Sequence, residues 1–168
     1  MTLPRLLPLL LLPALAGGGN VPLPPVSLPS VSLTTPVPLT ASGVRVFQNG
    51  VLFPAPVSRQ LKNFELRGTA ALNAPAAAPT VFDVLLTRDL PADCMPYAGY
   101  SACLSGGQSI GTVSFAAGAA QAPVLLRGDL LNTLAYEGAG HIGLQVRGGQ
   151  LPAGTTLTLS DLQARAYF

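Results

Sequence analysis

Glycine and proline recur so often along this chain that they restrict its secondary structure more than any other feature of the sequence. The 168 residues include 18 glycines and 17 prolines. Proline inside a helix removes a backbone hydrogen bond and clashes with the preceding turn, and glycine destabilises a helix interior. Beyond the N-terminal leader, no stretch has a helical apolar stripe of ten or more residues that is free of both. We therefore expect a protein built from β-strands.

Short runs in which apolar and polar residues alternate make up most of the chain from residue 42 to its end. In the run TVFDVLLTRDL, for example, Phe82 and Val84 fall on one side and Asp83 on the other. This period of two residues is that of a strand with one buried face. Roughly eight such runs, separated by turn-forming clusters, predict an all-β fold, an antiparallel β-sandwich of jelly-roll or Ig-like type over residues 42–168.

Two local signals and one resemblance refine this prediction. Asn49-Gly50 is a strong signal for a hairpin with a type I′ turn, because both central positions of that turn need positive φ. In the closing run LTLSDLQARAYF the alternation slips near Ser160 and Asp161, which predicts a β-bulge. This run also resembles the closing strand of carbohydrate-binding jelly rolls, and the resemblance implies the jelly-roll topology.

The first 16 residues have the three parts of an export signal. Arg5 supplies the positive charge, an apolar run of leucines follows it, and Ala14 and Ala16 form the small-residue pattern that precedes cleavage. The apolar run is shorter than the roughly 20 residues that cross a bilayer. We predict a signal peptide over residues 1–16 and no transmembrane span after its removal. Retention of the leader as an N-terminal anchor is the alternative.

The junction Leu15-Ala16-Gly17 resembles the start of the lipoprotein box of bacterial envelope lipoproteins. In that family the next residue is the cysteine that receives the lipid, whereas this chain has Gly18. Without a thiol no thioether can form, so we expect no lipid anchor. The resemblance implies a bacterial envelope protein that is held by other contacts or released. Its location would be the periplasm, the cell surface or the extracellular medium.

Residues 17–41 are predicted to be a proline-rich linker. Six prolines between residues 21 and 39 disfavour a helix or a central strand and favour extended polyproline II. Such a segment is a spacer between a folded domain and whatever holds it. Two alternatives stay open: the alternating valines and leucines lie along a sheet edge, or the segment is a ligand for a proline-binding domain.

The chain has two cysteines, Cys94 and Cys103, at close spacing in a chain predicted to be exported. The simplest interpretation is one disulfide bond between them. A metal site needs more ligands than this loop contains, and the single histidine, His141, lies far away in the sequence. We therefore predict no metal site and no cofactor.

Charged residues make up 10% of the chain, and its single lysine and scattered arginines form no cluster. Nucleic-acid binding depends on clustered basic side chains that neutralise phosphates. A nucleic-acid partner is therefore not expected.

Tyr97 and Tyr100 lie inside the loop that the cysteines close. A tyrosine on a constrained loop offers an apolar ring and a hydroxyl with little conformational entropy to lose on binding. Both rings are therefore candidate binding residues, for a polysaccharide or a protein. The alternative is that they fold back and cover one end of the sandwich.

A serine-hydrolase pattern is the main candidate for catalysis. Residues 107–111 match G-x-S-x-G around Ser109, and Asp129 and His141 follow in the chain order of α/β-hydrolases. That serine requires a strand, a sharp turn and a helix, whereas the stretch after Ser109 is strand-like. We predict no catalytic residues and keep a small serine hydrolase as a distant alternative.

Arg127-Gly128-Asp129 matches a known adhesion tripeptide. It lies within VLLRGDLL, whose apolar pattern predicts a continuous strand. Only a hairpin tip would present the tripeptide, so we interpret it as a chance match.

These features together predict an exported, non-catalytic domain of the cell envelope with a structural or adhesive role. Its expected partner is an envelope protein or a cell-wall polysaccharide. The alternative is a carbohydrate-binding module that uses Tyr97 and Tyr100.

Overall fold

The computed structural model describes residues 24–41 and 43–167. The predicted signal peptide, residues 1–16, and the first part of the predicted linker lie outside the described residues. The described residues form eleven strands and one helix: β1 (Val26–Ser27), β2 (Val31–Thr34), β3 (Arg45–Gln48), β4 (Lys62–Leu72), β5 (Thr80–Thr87), β6 (Met95–Pro96), β7 (Tyr100–Cys103), β8 (Gln108–Phe115), β9 (Gln121–Arg127), α1 (Asp129–Glu137), β10 (His141–Gly148) and β11 (Thr156–Tyr167).

The strands form two antiparallel sheets. The five-stranded sheet has the order β1-β11-β4-β9, with β2 pairing with the first part of β11. The six-stranded sheet has the order β6-β7-β3-β10-β5-β8. The prediction of an all-β protein with antiparallel pairing is confirmed.

Both sheets contribute to one hydrophobic core. Leu66 and Leu159 come from the five-stranded sheet and Phe82 and Leu144 from the six-stranded sheet, and all four are buried in the same cluster. Each of the four belongs to a series of buried residues at every second position of its strand, so each sheet turns one apolar face toward this core. Removal of this apolar surface from water is the main force that holds the sheets together.

Part of the predicted linker belongs to the five-stranded sheet. In β2, Val31 and Leu33 pair with Leu159 and Leu157 and are buried. The four residues of β2 contain no proline, so the ladder with β11 lacks no backbone N–H that it needs. The residues of β2 therefore lie along the edge of the sheet, which is the first of the two alternatives, and do not form a free extended spacer.

The expectation of a continuous strand through VLLRGDLL is wrong. Strand β9 ends at Arg127, and the nine-residue helix α1 begins at Asp129. Gly128 precedes the helix at φ +139°, and Gly138 ends it in the left-handed conformation, with its N–H donating to the Ala135 carbonyl. Glycines at both boundaries allow a helix shorter than the ten residues that the sequence criterion required.

The predicted hairpin at Asn49-Gly50 does not form. Strand β3 already pairs with β10 on one side and β7 on the other, so no edge remains for the residues that follow it. Neither Asn49 nor Gly50 has positive φ. The chain instead leaves the sheet, and the Leu52 N–H donates to the Gly140 carbonyl at 2.7 Å.

The predicted β-bulge in the closing strand is confirmed. The pairing of β11 with β4 shifts between Ser160 and Gln163, and Asp161 adopts a left-handed φ of 53°. Gly68 lies opposite the bulge, where a Cβ atom would come within 2.6 Å of the Ser160 carbonyl oxygen.

Candidate functional site

The predicted disulfide between Cys94 and Cys103 is confirmed. Cys103 ends β7 and is buried, whereas Cys94 directly precedes β6 and is half-buried. The bond therefore closes the β6–β7 hairpin at its open end. On the chain-entropy model, a loop of this length stabilises the fold by roughly 2–3 kcal/mol.

The tip of this hairpin is a tight turn that is bound to the end of β3. The Tyr97 N–H donates to the Tyr100 carbonyl at 2.8 Å, and Gly99 supplies the positive φ of 85° between them. The Asn49 side chain donates to the Tyr97 carbonyl at 3.3 Å and accepts a hydrogen bond from the Ser101 hydroxyl at 2.6 Å. The turn is thus held by both backbone and side-chain contacts.

A second, smaller apolar cluster lies beneath the disulfide. It contains Phe47, Leu85 and Cys103, with Leu90 and Cys94 packed against it. It lies on the face of the six-stranded sheet that points away from the main core, because Phe47 alternates with the core residue Val46. The segment between β5 and β8, with its disulfide, covers this outer cluster.

The structure separates the roles of the two tyrosines. Their rings stack with centroids 5.4 Å apart and planes at 10°. Tyr100 is half-buried and packs against the main core, whereas Tyr97 is exposed and its hydroxyl lies 3.5 Å from the Met95 sulfur. Tyr100 therefore supports the inner face of Tyr97, and Tyr97 is the ring that reaches solvent.

Tyr97 belongs to an apolar surface at the edge of the six-stranded sheet. We call this surface, formed by Val37, Met95, Tyr97 and Leu104, the edge surface. These side chains are between 37% and 70% exposed, and they line a groove of about 230 Å³. The one charged residue of its lining is Asp93, which accepts a hydrogen bond from the Ser105 hydroxyl at 2.7 Å.

Sequence reasoning found Tyr97 but missed the other members of the edge surface. Leu104 follows a cysteine in a turn cluster, and Val37 lies between two prolines of the predicted linker, so neither belongs to the alternating runs that begin at residue 42. The one available signal was the presence of large apolar residues in segments that have no buried face of their own.

The structure does not bring Ser109, Asp129 and His141 together. Ser109 is on β8 and His141 on β10, and β5 lies between these strands. The Ser109 hydroxyl donates to the Gly111 carbonyl at 3.4 Å, and His141 Nδ1 lies 3.1 Å from the Gln48 carbonyl oxygen. Asp129 is at the start of α1. None of these contacts links the serine to the histidine, as a nucleophile and its base require.

One group of three potential metal ligands comes together among residues 24–41 and 43–167, namely Asp93, Cys94 and Cys103. Both sulfurs are joined in the disulfide. The thiolate is the form that binds metals, so the Asp93 carboxylate is the one ligand that the group retains.

An exposed ion pair joins α1 to the end of β5. Arg88 donates two hydrogen bonds of 2.8 Å to the carboxylate of Glu137. The hydrogen bond from Arg88, with its positive charge, lowers the pKa of Glu137, and the same hydrogen bond raises the pKa of Arg88. This pair lies outside the edge surface and links the last residue of the helix to the residue that follows β5.

Within the part of the chain that the structure describes, no helix has the length and apolar character to cross a membrane. Comparison of the chain with protein-family models, curated proteins and solved structures gives no match, so its function is inferred from its own geometry.

Proposed function

We propose that this protein is an exported, non-catalytic domain of the cell envelope whose edge surface binds a protein partner. In this proposal the two sheets form a β-sandwich, residues 1–16 are a signal peptide, and the proline-rich residues before Val26 connect the domain to its surroundings. The disulfide supports an oxidising, extracytoplasmic location.

The convergence of exposed apolar side chains carries the proposal. The described residues include seven large apolar side chains that are exposed, and four of them form the edge surface. Single exposed apolar residues are normal on soluble proteins, whereas contiguous ones mark interaction sites. Tyrosine and methionine are also enriched in protein interfaces.

The edge strand beneath this surface is poorly suited to pair with a further strand. Strand β6 has two residues, and one of them, Pro96, lacks a backbone N–H. A short edge strand with proline is a common protection against strand addition. We therefore expect the partner to dock on the side chains of the edge surface rather than to extend the sheet.

A carbohydrate-binding module remains the second candidate. An exposed tyrosine ring beside the Asp93 carboxylate is the observation that favours it, because sugars stack on aromatic rings and donate hydrogen bonds to carboxylates. Tyr100, however, covers one face of Tyr97, so the platform would consist of a single ring. The rest of the groove is apolar, which suits a protein partner better.

Co-sedimentation tests this proposal with a matched pair of variants. The protein is incubated with an envelope preparation that retains its proteins and, separately, with wall polysaccharide that has been stripped of protein. Leu104→Ser removes an exposed leucine from the edge surface, and Leu125→Ser removes an exposed leucine from β9, outside that surface.

We expect the protein-containing envelope to retain the wild type and Leu125→Ser but not Leu104→Ser. Retention on stripped polysaccharide that is lost in Tyr97→Ala would favour the carbohydrate-binding alternative instead. Equal retention of both leucine variants would overturn the assignment of the edge surface.

A further inference from the structure

An apolar cavity of about 160 Å³ lies where β1 pairs with the end of β11, away from the edge surface. All nine residues that line it are apolar. Phe53 and Phe64 are buried in its interior, whereas Val26, at its rim, is 62% exposed. The cavity therefore has an aromatic interior and reaches solvent at its rim.

The cavity exists because the inner face of β11 changes from large to small side chains. Leu157, Leu159 and Leu162 fill the core, but Ala164 and Ala166 follow on the same face and form the floor of the cavity. Water in such a space would find no polar side chain to bind. Apolar cavities of roughly 150 Å³ remain dry and accept a benzene-sized molecule.

The segment that forms one wall of the cavity, residues 53–62, carries positive charge. It includes Arg59 and Lys62 and no acidic residue. Lys62 directly follows the lining residue Leu61, is exposed, and takes part in none of the three ion pairs among the described residues. The nearby carboxylate of Glu65, on β4, is paired with Arg67 at 3.1 Å.

We propose that this cavity binds the hydrocarbon end of a single-chain amphiphile with an anionic head, such as a fatty acid. About six carbons of the chain would occupy the space between the alanine floor and the two phenylalanines. The rest of the chain and its carboxylate would remain in water, on the side of the cavity where Lys62 follows the lining residue Leu61. The site is independent of the proposed protein-binding surface.

Isothermal titration calorimetry with decanoate, below its micelle concentration, tests the proposal. We expect saturable one-to-one binding to the wild-type protein. Butanoate, whose tail is too short to fill the cavity, should bind at least about tenfold more weakly, because each buried methylene contributes to affinity. Decyltrimethylammonium has the same tail and the opposite charge, so it should bind more weakly than decanoate, and Lys62→Gln should remove this difference.

Cavity-filling variants locate the binding. Ala164→Leu places a larger side chain on the floor and should lower decanoate affinity at least about tenfold. Ala71→Leu is the matched control, because Ala71 lies on the opposite face of the same sheet and should leave the affinity unchanged. Circular dichroism checks that each variant is folded, and Val57→Phe fills the cavity from its loop wall if Ala164→Leu does not fold.

The absence of saturable binding to the wild type would overturn the proposal. The proposal would also be overturned if folded Ala164→Leu or folded Val57→Phe bound decanoate with the same affinity as the wild type. Binding that is the same for decanoate and decyltrimethylammonium would remove the proposed role of Lys62 and the preference for an anionic head.

Discussion

Phe47 is completely buried although it lies on the outer face of the six-stranded sheet. Its ring lies against two glycines, Gly143 on β10 and Gly107 before β8, where Cβ atoms would come within 2.4 and 2.8 Å of ring atoms. Both glycines are therefore required by close packing against one aromatic ring. The disulfide loop can then close over Phe47 and form the outer cluster.

We expect Gly143→Ala to destabilise the fold by about 1–3 kcal/mol, because the added methyl overlaps the Phe47 ring and the Val46 carbonyl oxygen. The measurement is the free energy of unfolding in urea. Gly148→Ala is the control on the same strand, since nothing lies within 4 Å of its added methyl. Similar unfolding free energies for the two variants would show that the ring does not pack on Gly143.

At the scale of single residues, the sequence identified the disulfide but not the glycine contacts. Two cysteines in a chain that the sequence predicts to be exported have one simple pairing. Gly143 stands in the alternating run HIGLQVRG, and its role depends on a ring from a strand almost a hundred residues earlier. Local patterns contain no information about such a contact.

Among the elements, β2 and α1 are those whose secondary structure depends most on tertiary contacts. Strand β2 has four residues between prolines, and among the described strands it pairs with β11 alone. Helix α1 has nine residues, which is too short to be stable alone in water. Its buried Leu131 and Leu134 pack into the core and stabilise it there.

Leu33→Ala tests whether β2 contributes to the fold. Leu33 is buried in the core, so its truncation should cost about 2–5 kcal/mol of unfolding free energy. Val37→Ala, four residues later and exposed, should change it by less than about 0.5 kcal/mol. If chemical denaturation shows Leu33→Ala to be as stable as the wild type, residues 31–34 do not form part of the sheet in solution.

The disulfide that closes the β6–β7 hairpin leads to a separate prediction. The double variant Cys94→Ala/Cys103→Ala should lose about 2–3 kcal/mol of stability in urea, because its unfolded chain is no longer constrained. A reducing agent should bring the wild type to the same midpoint and leave the variant unchanged. A larger loss for the variant than for the reduced wild type would indicate that packing in the outer cluster, rather than the cross-link, dominates.

For the molecule as a whole, the ion pair between Glu137 and Arg88 links stability to pH. The pKa of Glu137 is lowered below its ordinary value of 4.5 by the hydrogen bond from Arg88. A carboxylate with a lowered pKa stabilises the folded state at pH values above its unfolded pKa, and this contribution is lost as the pH falls through the folded pKa.

We therefore expect the difference in melting temperature between the wild type and Glu137→Gln to be constant above about pH 5 and to decrease at more acid pH. Arg88→Gln should give the same profile, because it removes the same pair. A difference that persists unchanged at pH 2 would mean that the variant acts through packing rather than through the charge.

The sequence alone determined the class of fold, because the spacing of glycine and proline excludes long helices and the period of two requires strands with one buried face. It also determined the disulfide, since two cysteines admit a single pairing. The tertiary structure decided which strands pair, and those pairings left no partner for a hairpin at Asn49-Gly50 and placed β2 beside β11. It also decided that a short helix forms between two glycines. It also decided the edge surface and the apolar cavity, because both depend on which side chains the opposite sheet and the loops leave uncovered. Whether a side chain is buried or exposed depends on how the whole chain packs, and no local pattern of residues specifies it.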